Sequence, residues 1–147
     1  AENDGTAPVV TSAGALIDGI RALGARRVAI ITPYMKPLTQ LVQAYIEHEG
    51  IEVVDAISLE IRNNIAVGER DPMALLNVFP SLDIGAADAV VLSACVQMPS
   101  LEAIPAVEEI CGKPVISSAV CTVHAMLKRL GLRTVVPNAG RLLSGAY

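Results

Sequence analysis

The sequence predicts an α/β fold, a doubly wound sheet of four parallel strands flanked by helices. Four short runs rich in Val, Ile and Ala alternate with segments whose apolar residues recur at helical spacing. The runs are apolar throughout, which is typical of parallel strands covered by helices on both faces. At 147 residues the chain has the length of about one domain. The predicted strands are residues 26–33, 51–59, 87–95 and 113–119.

Helices are predicted after each strand, and residues typical of helix ends delimit them. Pro37 lies near the start of the helix that follows the first strand. Asp71 and Pro72 are suited to the N-cap and first position of the next helix. Pro99 is expected to open the helix after the third strand, and Gly131 to end the last one.

The composition excludes several classes of protein. Aromatic residues make up 3% of the chain and Trp is absent, so the core must be aliphatic. A net charge of −4 argues against nucleic acid or an anionic membrane as a partner, because no basic stripe exists to neutralise phosphates. The opening "AENDGTAP" does not resemble a signal peptide. Three cysteines without a CxxC pair form neither a disulfide framework nor a zinc site, so we expect a cytoplasmic protein.

One short segment occurs twice. Residues 8–13 read "PVVTSA" and residues 114–119 read "PVISSA", and each precedes a helix that ends in Leu-Gly. Convergence on a common strand–helix composition would produce this match, and so would duplication of an α/β half. If an α/β half was duplicated, residues 1–24 are the end of the first half and include the crossover helix. Residues 25–131 then form a second α/β domain, and residues 132–147 a C-terminal segment returning toward the first half. The chain is accordingly expected to be a C-terminal fragment.

Candidate chemistry lies at the carboxyl ends of the strands, where open parallel sheets bind their ligands. Tyr34 and Asn64 follow predicted strands and Cys95 ends one, so we expect the three residues to converge at that edge. No dinucleotide, P-loop or zinc-protease motif is present, so these three classes of site have little support.

Cys95 has two interpretations. A strand-to-helix turn offers unpaired backbone N–H groups and a helix dipole, which stabilise a reactive thiolate. Cysteine is equally a common small core residue, and position alone does not decide between the two. Cys111 and Cys121 are expected to be structural. His48 and His124 lie in predicted helices, where solvated surface roles are expected.

Four segments together resemble the maleate cis–trans isomerases, which belong with the cofactor-independent Asp/Glu racemases and arylmalonate decarboxylase. These segments are "TPYMKPL" (32–38), "EIRNN" (60–64), "SACVQMPSL" (93–101) and the closing "VPNAGRLLSGAY". The resemblance extends over essentially the whole chain, but only over the C-terminal part of the family's length. It implies two similar α/β halves with the active site between them and one cysteine from each half.

The resemblance also implies roles for particular residues. Cys95 becomes the catalytic cysteine of the second half. Tyr34 and Asn64 match positions that hydrogen-bond the substrate carboxylates, and the backbone N–H of Val96 is expected to do the same. The family's nucleophilic cysteine belongs to the first half, and no residue of this chain matches it. The implied reaction converts maleate to fumarate without a cofactor, in a homodimer, and the chain needs its own N-terminal half.

Two other functions are compatible with the same residues. An Asp/Glu or hydantoin racemase, or an arylmalonate decarboxylase, would use related cysteine chemistry. A flavodoxin-like binding module would use the sheet edge without catalysis. Thiol labelling separates this last class, because an unreactive Cys95 at neutral pH would favour a binding module.

Overall fold

The computed structural model describes residues 9–147 of the chain. Four strands form one parallel sheet in the order β2-β1-β3-β4, which confirms the predicted fold class. Each strand lies inside one of the predicted runs. Their bounds are β1 Arg27–Thr32, β2 Glu52–Ser58, β3 Ala89–Ser93 and β4 Val115–Ser117.

Helices connect and flank the strands. Between Val9 and Tyr147 the α-helices are α1 Ser12–Ala22, α2 Lys36–His48, α3 Asn64–Gly68, α4 Leu75–Val78, α5 Ala103–Cys111 and α6 Ser118–Arg129. Single 3-10 turns occur at Pro72–Ala74, Phe79–Ser81 and Arg141–Leu143. In this part of the chain, no helix combines the length and the apolar character needed to cross a membrane.

The two central strands form the middle of the core. Residues 28–31 of β1 and 89–92 of β3 are completely inaccessible to solvent. Helices cover both faces at these positions, which is why the two runs contain no polar alternation. β2 lies at one edge and is half-buried along most of its length.

Two predicted helices differ from those observed. The helix expected from Pro99 begins at Ala103, because residues 94–100 form a loop that buries Met98 and Ser100. The helix expected from Pro72 is divided into a 3-10 turn, the short α4 and a second 3-10 turn. Pro80 has no N–H for an intrahelical hydrogen bond, so α4 cannot continue as a regular helix through it.

The repeated segment supplies the same cap to two helices. Thr11 Oγ1 accepts a hydrogen bond from the Gly14 N–H at 3.2 Å, at the start of α1. Ser117 Oγ accepts the Val120 N–H at 3.3 Å, at the start of α6. The second copy includes β4, whereas residues 9–10 of the first copy form no strand, and residue 8 lies outside the described residues. The repeat is therefore visible as two similarly capped helices.

α1 and α6 pack directly against each other. A Cβ at Gly19 of α1 would overlap the Sγ of Cys121 in α6 and crowd Leu142. A glycine at this position permits the close approach of the two helices. Both helices are followed by a glycine with positive φ, +70° at Gly24 and +68° at Gly131.

Asp88 connects the starts of the two central strands. Its carboxylate accepts hydrogen bonds from the backbone N–H groups of Arg26 and Arg27, at 3.0 and 2.9 Å. The Arg27 guanidinium donates a further bond at 2.8 Å. These bonds, led by that from the Arg27 side chain, lower the pKa of Asp88 to about 2.

We expect the substitution Asp88→Ala to lower the free energy of unfolding by about 1 kcal/mol at pH 7, since the site is solvent-accessible. The lowered pKa means that the ionised carboxylate contributes stability above about pH 4, where it is ionised in the unfolded chain as well. That contribution is lost as the pH falls toward 2. Urea titrations at pH 7 and pH 3 measure the difference, with exposed Glu109→Ala as the control. An undiminished difference at pH 3 would contradict this account.

Candidate active site

The strand order creates a crevice between β1 and β3. These strands are neighbours in the sheet, yet the chain continues from β1 outward to β2 and from β3 outward to β4. Connections that diverge in this way leave an opening beyond the carboxyl ends of the two central strands. Tyr34 follows β1 by two residues and Cys95 follows β3 by two residues. The topology therefore brings these two side chains to the same opening.

A cavity of about 470 Å³ occupies this position. Three of the four predicted site residues line it, namely Tyr34, Cys95 and Val96. The remaining wall comes from the starts of α1 and α6, the loop after β3 and an apolar face of α2. These other lining residues are Ser12, Ala13, Leu16, Leu41, Val42, Tyr45, Ala94, Gln97 and Ser118.

The surroundings of Cys95 differ from those expected. The helix that follows β3 begins eight residues after Cys95, at Ala103, so Cys95 does not lie at the N-terminus of α5. The helix starts that reach the cavity are those of α1, at Ser12, and α6, at Ser118. Both bear the caps of the repeated segment. The two copies of the repeated segment therefore each contribute a helix N-terminus to the cavity.

Ser93 fixes the turn that carries Cys95. Its fully buried hydroxyl donates to the Cys95 carbonyl at 2.7 Å and accepts the Cys95 N–H at 3.3 Å. The Cys95 side chain is largely buried, with 8% of the residue exposed. By contrast, the Val96 N–H has no hydrogen-bond acceptor within residues 9–147. Val96 also lines the cavity.

Tyr34 lies beside Cys95 in a half-buried position. Burial, and secondly the adjacent Cys95 thiol, raise the pKa of Tyr34 above its usual value. The phenol is therefore protonated at neutral pH and can donate a hydrogen bond. The Tyr34 carbonyl accepts the Glu60 N–H at 3.2 Å, and the Pro33 carbonyl accepts the Ile61 N–H at 2.9 Å. These bonds attach the Tyr34 loop to the segment that leads to Asn64.

Asn64 is the first residue of α3 and its side chain is exposed. The residue does not line the cavity. Asn63 caps the helix, accepting the Ile65 N–H at 2.8 Å. The Asn64 carbonyl accepts a 2.6 Å hydrogen bond from the Gln97 side chain, two residues beyond Cys95. Asn64 is thus attached to the Cys95 loop through its backbone.

Sequence reasoning missed Ser93 and Gln97. Both residues stand in the motif "SACVQMPSL", one on each side of Cys95. The sequence signal that could have indicated them is the presence of a polar residue two positions before and two positions after the candidate cysteine. Their hydrogen bonds depend on loop geometry, which the motif itself does not reveal.

The other cysteines and the histidines lie outside the cavity. Cys111 is half-buried at the end of α5. Cys121 is buried in the contact between α1 and α6, and this burial raises its pKa. His48 is exposed, as expected, but His124 is buried, and the solvated role predicted for it is wrong. The His124 ring lies 3.5 Å from the Tyr147 backbone oxygen, and burial lowers its pKa.

The fold and this site define a family. The family model of arylmalonate decarboxylase matches residues 2–143, and the chain belongs to that family. Among curated proteins, the maleate isomerase of Geobacillus stearothermophilus is 61% identical over 147 residues, and that of Pseudomonas putida is 54% identical over 147 residues. Each match covers all of this chain and 59% of the relative. The chain therefore spans less than two thirds of the length of these relatives.

Solved structures of maleate isomerases are also similar to this chain. A cysteine-to-alanine variant of the maleate isomerase Iso from Pseudomonas putida S16, with maleate, superimposes with a TM-score of 0.95 at 61% identity. This match covers 99% of this chain and 58% of the other. A cysteine-to-serine variant of Nocardia farcinica maleate cis-trans isomerase, with a covalently bound succinylcysteine intermediate, has a TM-score of 0.93 at 43% identity. That match covers 98% of this chain and 59% of the other.

Removing the Ser93 hydroxyl should loosen the Cys95 turn. In Ser93→Ala the Cys95 N–H and carbonyl lose their partner, so we expect Cys95 to react faster with a thiol reagent. We also expect a loss of about 1–3 kcal/mol of stability, because buried polar groups are left unpaired. Peptide mapping by mass spectrometry measures labelling of Cys95 separately from Cys111 and Cys121. The control is Ser58→Ala, which removes a strand-end hydroxyl bonded to Thr39 instead. Equal Cys95 labelling in wild type and Ser93→Ala would refute this role.

Proposed function

We propose that this chain is part of a cofactor-independent isomerase that converts maleate to fumarate. One observation carries the proposal: Cys95 and the protonated Tyr34 hydroxyl adjoin one another in the crevice between β1 and β3. This arrangement occurs in a chain that is 61% identical to a maleate isomerase over its whole length.

The reaction requires rotation about a double bond. Maleate has two carboxylates on the same side of C2=C3, and their repulsion makes fumarate the more stable isomer. Addition of a thiolate to C2 forms an S–C bond and moves the π electrons toward C3 and the far carboxylate. The C2–C3 bond is then single and can rotate. Loss of the thiolate returns the electron pair and restores the double bond, so the enzyme is unchanged.

A covalent species in a relative supports this route. The Nocardia farcinica enzyme has been solved with a succinylcysteine intermediate. Thiolate addition to a butenedioate, followed by protonation of C3, gives such a group. We assign the nucleophile to a cysteine of the N-terminal half and assign Cys95 to the opposite side of the substrate. There Cys95 holds or delivers the proton at C3, or stabilises the charge developing on the intermediate.

Neutral hydrogen-bond donors would stabilise the migrating charge. Tyr34 donates its phenolic hydrogen, Val96 its free backbone N–H and Asn64 its side-chain amide, each to a substrate carboxylate. Loss of one donor of this kind typically raises an activation barrier by about 2.7–4 kcal/mol. For Asn64, the proposal is that α3 presents the side-chain amide to the cavity when substrate is bound.

The site would be completed by an N-terminal half, in line with the domain division inferred from the repeat. We propose that residues 1–24 end that half, that residues 25–131 form the second domain and that residues 132–147 return toward the first. Apolar side chains on the cavity wall support this, since Leu41 is 67% exposed and Tyr45 38% exposed. We further propose a homodimer in the cytoplasm, where the three cysteines, free in this structure, would stay reduced.

Decarboxylation of an arylmalonate is the second candidate function. Its support is the family model and a relative from Bordetella bronchiseptica, an arylmalonate decarboxylase 33% identical over 113 residues. The apolar wall of α2 offers room for an aryl group, and a single reactive thiol suits this chemistry. The higher identity to maleate isomerases favours isomerisation. Phenylmalonate and maleate as parallel substrates distinguish the two.

We expect Cys95→Ala, in the full-length protein, to lower the turnover of maleate by about 100-fold or more, because the site loses an acid–base or charge-stabilising group. Fumarate formation by NMR, or loss of the ultraviolet absorbance of maleate, measures the rate. Cys111→Ala removes a thiol outside the cavity and should keep wild-type turnover. Circular dichroism checks that both variants fold. Normal turnover in Cys95→Ala would rule out the assigned role.

Residues 1–147 alone are expected to have no isomerase activity, since they lack the proposed nucleophile. The comparison uses equal concentrations of this purified segment and the full-length protein in the same NMR assay. Adding a separately expressed N-terminal half should restore activity if the two parts associate. Measurable turnover by residues 1–147 alone would mean that the nucleophile lies among Cys95, Cys111 and Cys121.

A further inference from the structure

Gln97 joins two parts of the site that are distant in sequence. Its side-chain amide donates a 2.6 Å hydrogen bond to the carbonyl of Asn64, at the first residue of α3. The same side chain lies near Gly68, the last residue of α3: a Cβ at that glycine would be 3.6 Å from Nε2 and 3.7 Å from Cγ. Gln97 therefore reaches both ends of this short helix.

α3 has few other attachments. It contains five residues, of which Val67 alone is buried, and isolated helices of this length are not stable in water. The backbone bonds from Glu60 and Ile61 to the Tyr34 loop end three residues before Asn64. The Asn63 cap is local to the helix itself. Among the described residues, α3 therefore has one long-range hydrogen bond, which the Gln97 side chain donates.

The position of Gln97 gives this bond a consequence for the site. Its neighbour Val96 lines the cavity, and so does Cys95, which precedes Val96. A bond from Gln97 to Asn64 therefore holds α3 against the loop that carries Cys95. Segments with few buried contacts open easily, so one added hydrogen bond changes their closed population substantially.

We propose that Gln97 is a positioning residue that fixes Asn64 beside the loop that carries Cys95 and thereby sets the affinity for the dicarboxylate. This inference rests on the proposed function of Asn64 in binding a substrate carboxylate. Gln97 acts through Asn64 and takes no part in the chemical step.

Two substitutions in the full-length protein test this. Gln97→Met has nearly the same length and no donor, and Gln97→Glu replaces the donor by an oxygen that repels the Asn64 carbonyl. Hydrogen exchange of the segment 61–69 should become roughly three- to tenfold faster in both, the effect of losing one hydrogen bond. KM for maleate should rise by a similar factor, because α3 presents Asn64 to the substrate in a smaller fraction of the molecules. kcat should be nearly unchanged, because bound maleate selects the closed state, in which Asn64 is intact.

The control is Gln40→Met, the same change at an exposed residue of α2 outside this cavity. It should leave both exchange and KM at wild-type values. Unchanged exchange of 61–69 in Gln97→Met overturns the proposal whatever the KM, and faster exchange with an unchanged KM overturns the link to substrate affinity. A wild-type protein inactive on maleate would instead overturn the proposed function, while the exchange data would still decide whether Gln97 holds α3.

Discussion

The parallel pairing of β1 with β3 is the constraint on which the site depends. The two strands are about sixty residues apart in sequence, and their pairing over Val28–Ile30 and Ala89–Val91 aligns their carboxyl ends. Asp88 reinforces the alignment at the opposite end, where its carboxylate accepts the N–H groups of Arg26 and of Arg27, the first residue of β1. A shift in this register would separate Tyr34 from Cys95. The rigidity of the buried central strands therefore determines the geometry of the two groups most suited to chemistry.

A second constraint is the close packing of α1 on α6. Gly19 permits the approach, and the capped starts of both helices reach the cavity. These helices bear the two copies of the repeated segment, so the proposed duplication would place two equivalent helix starts beside one site. An arrangement of this kind suits an active site located between similar halves. The exposed apolar face of α2 is consistent with such an arrangement, because it leaves one wall of the cavity open.

Much of the fold could be predicted from the sequence, because buried parallel strands leave a continuous apolar signature. The four strands and their order along the chain followed from that signature alone. Tyr34 and Cys95 could be placed at one sheet edge because Tyr34 directly follows the first predicted strand and Cys95 ends the third. The loop over residues 94–100 could not be predicted, since Pro99 equally suits a helix start. In the structure this segment is a loop in which Met98 is buried. The hydrogen bonds of Ser93 and Gln97 could not be predicted either, because they depend on tertiary packing and no local sequence pattern encodes them.

The cavity wall bears directly on how a dianion would be handled. Among the described residues that line it, none is Lys, Arg or His, and the chain as a whole has a net charge of −4. On this wall, a bound dianion would meet neutral donors such as Tyr34 and no cationic side chain. Hydrogen bonds to a charged acceptor are stronger in a poorly solvated site than in water. Such donors do not neutralise the substrate by ion pairing, and they can respond as charge moves toward one carboxylate. A wall without cations thus suits a reaction in which charge shifts along the substrate and then returns.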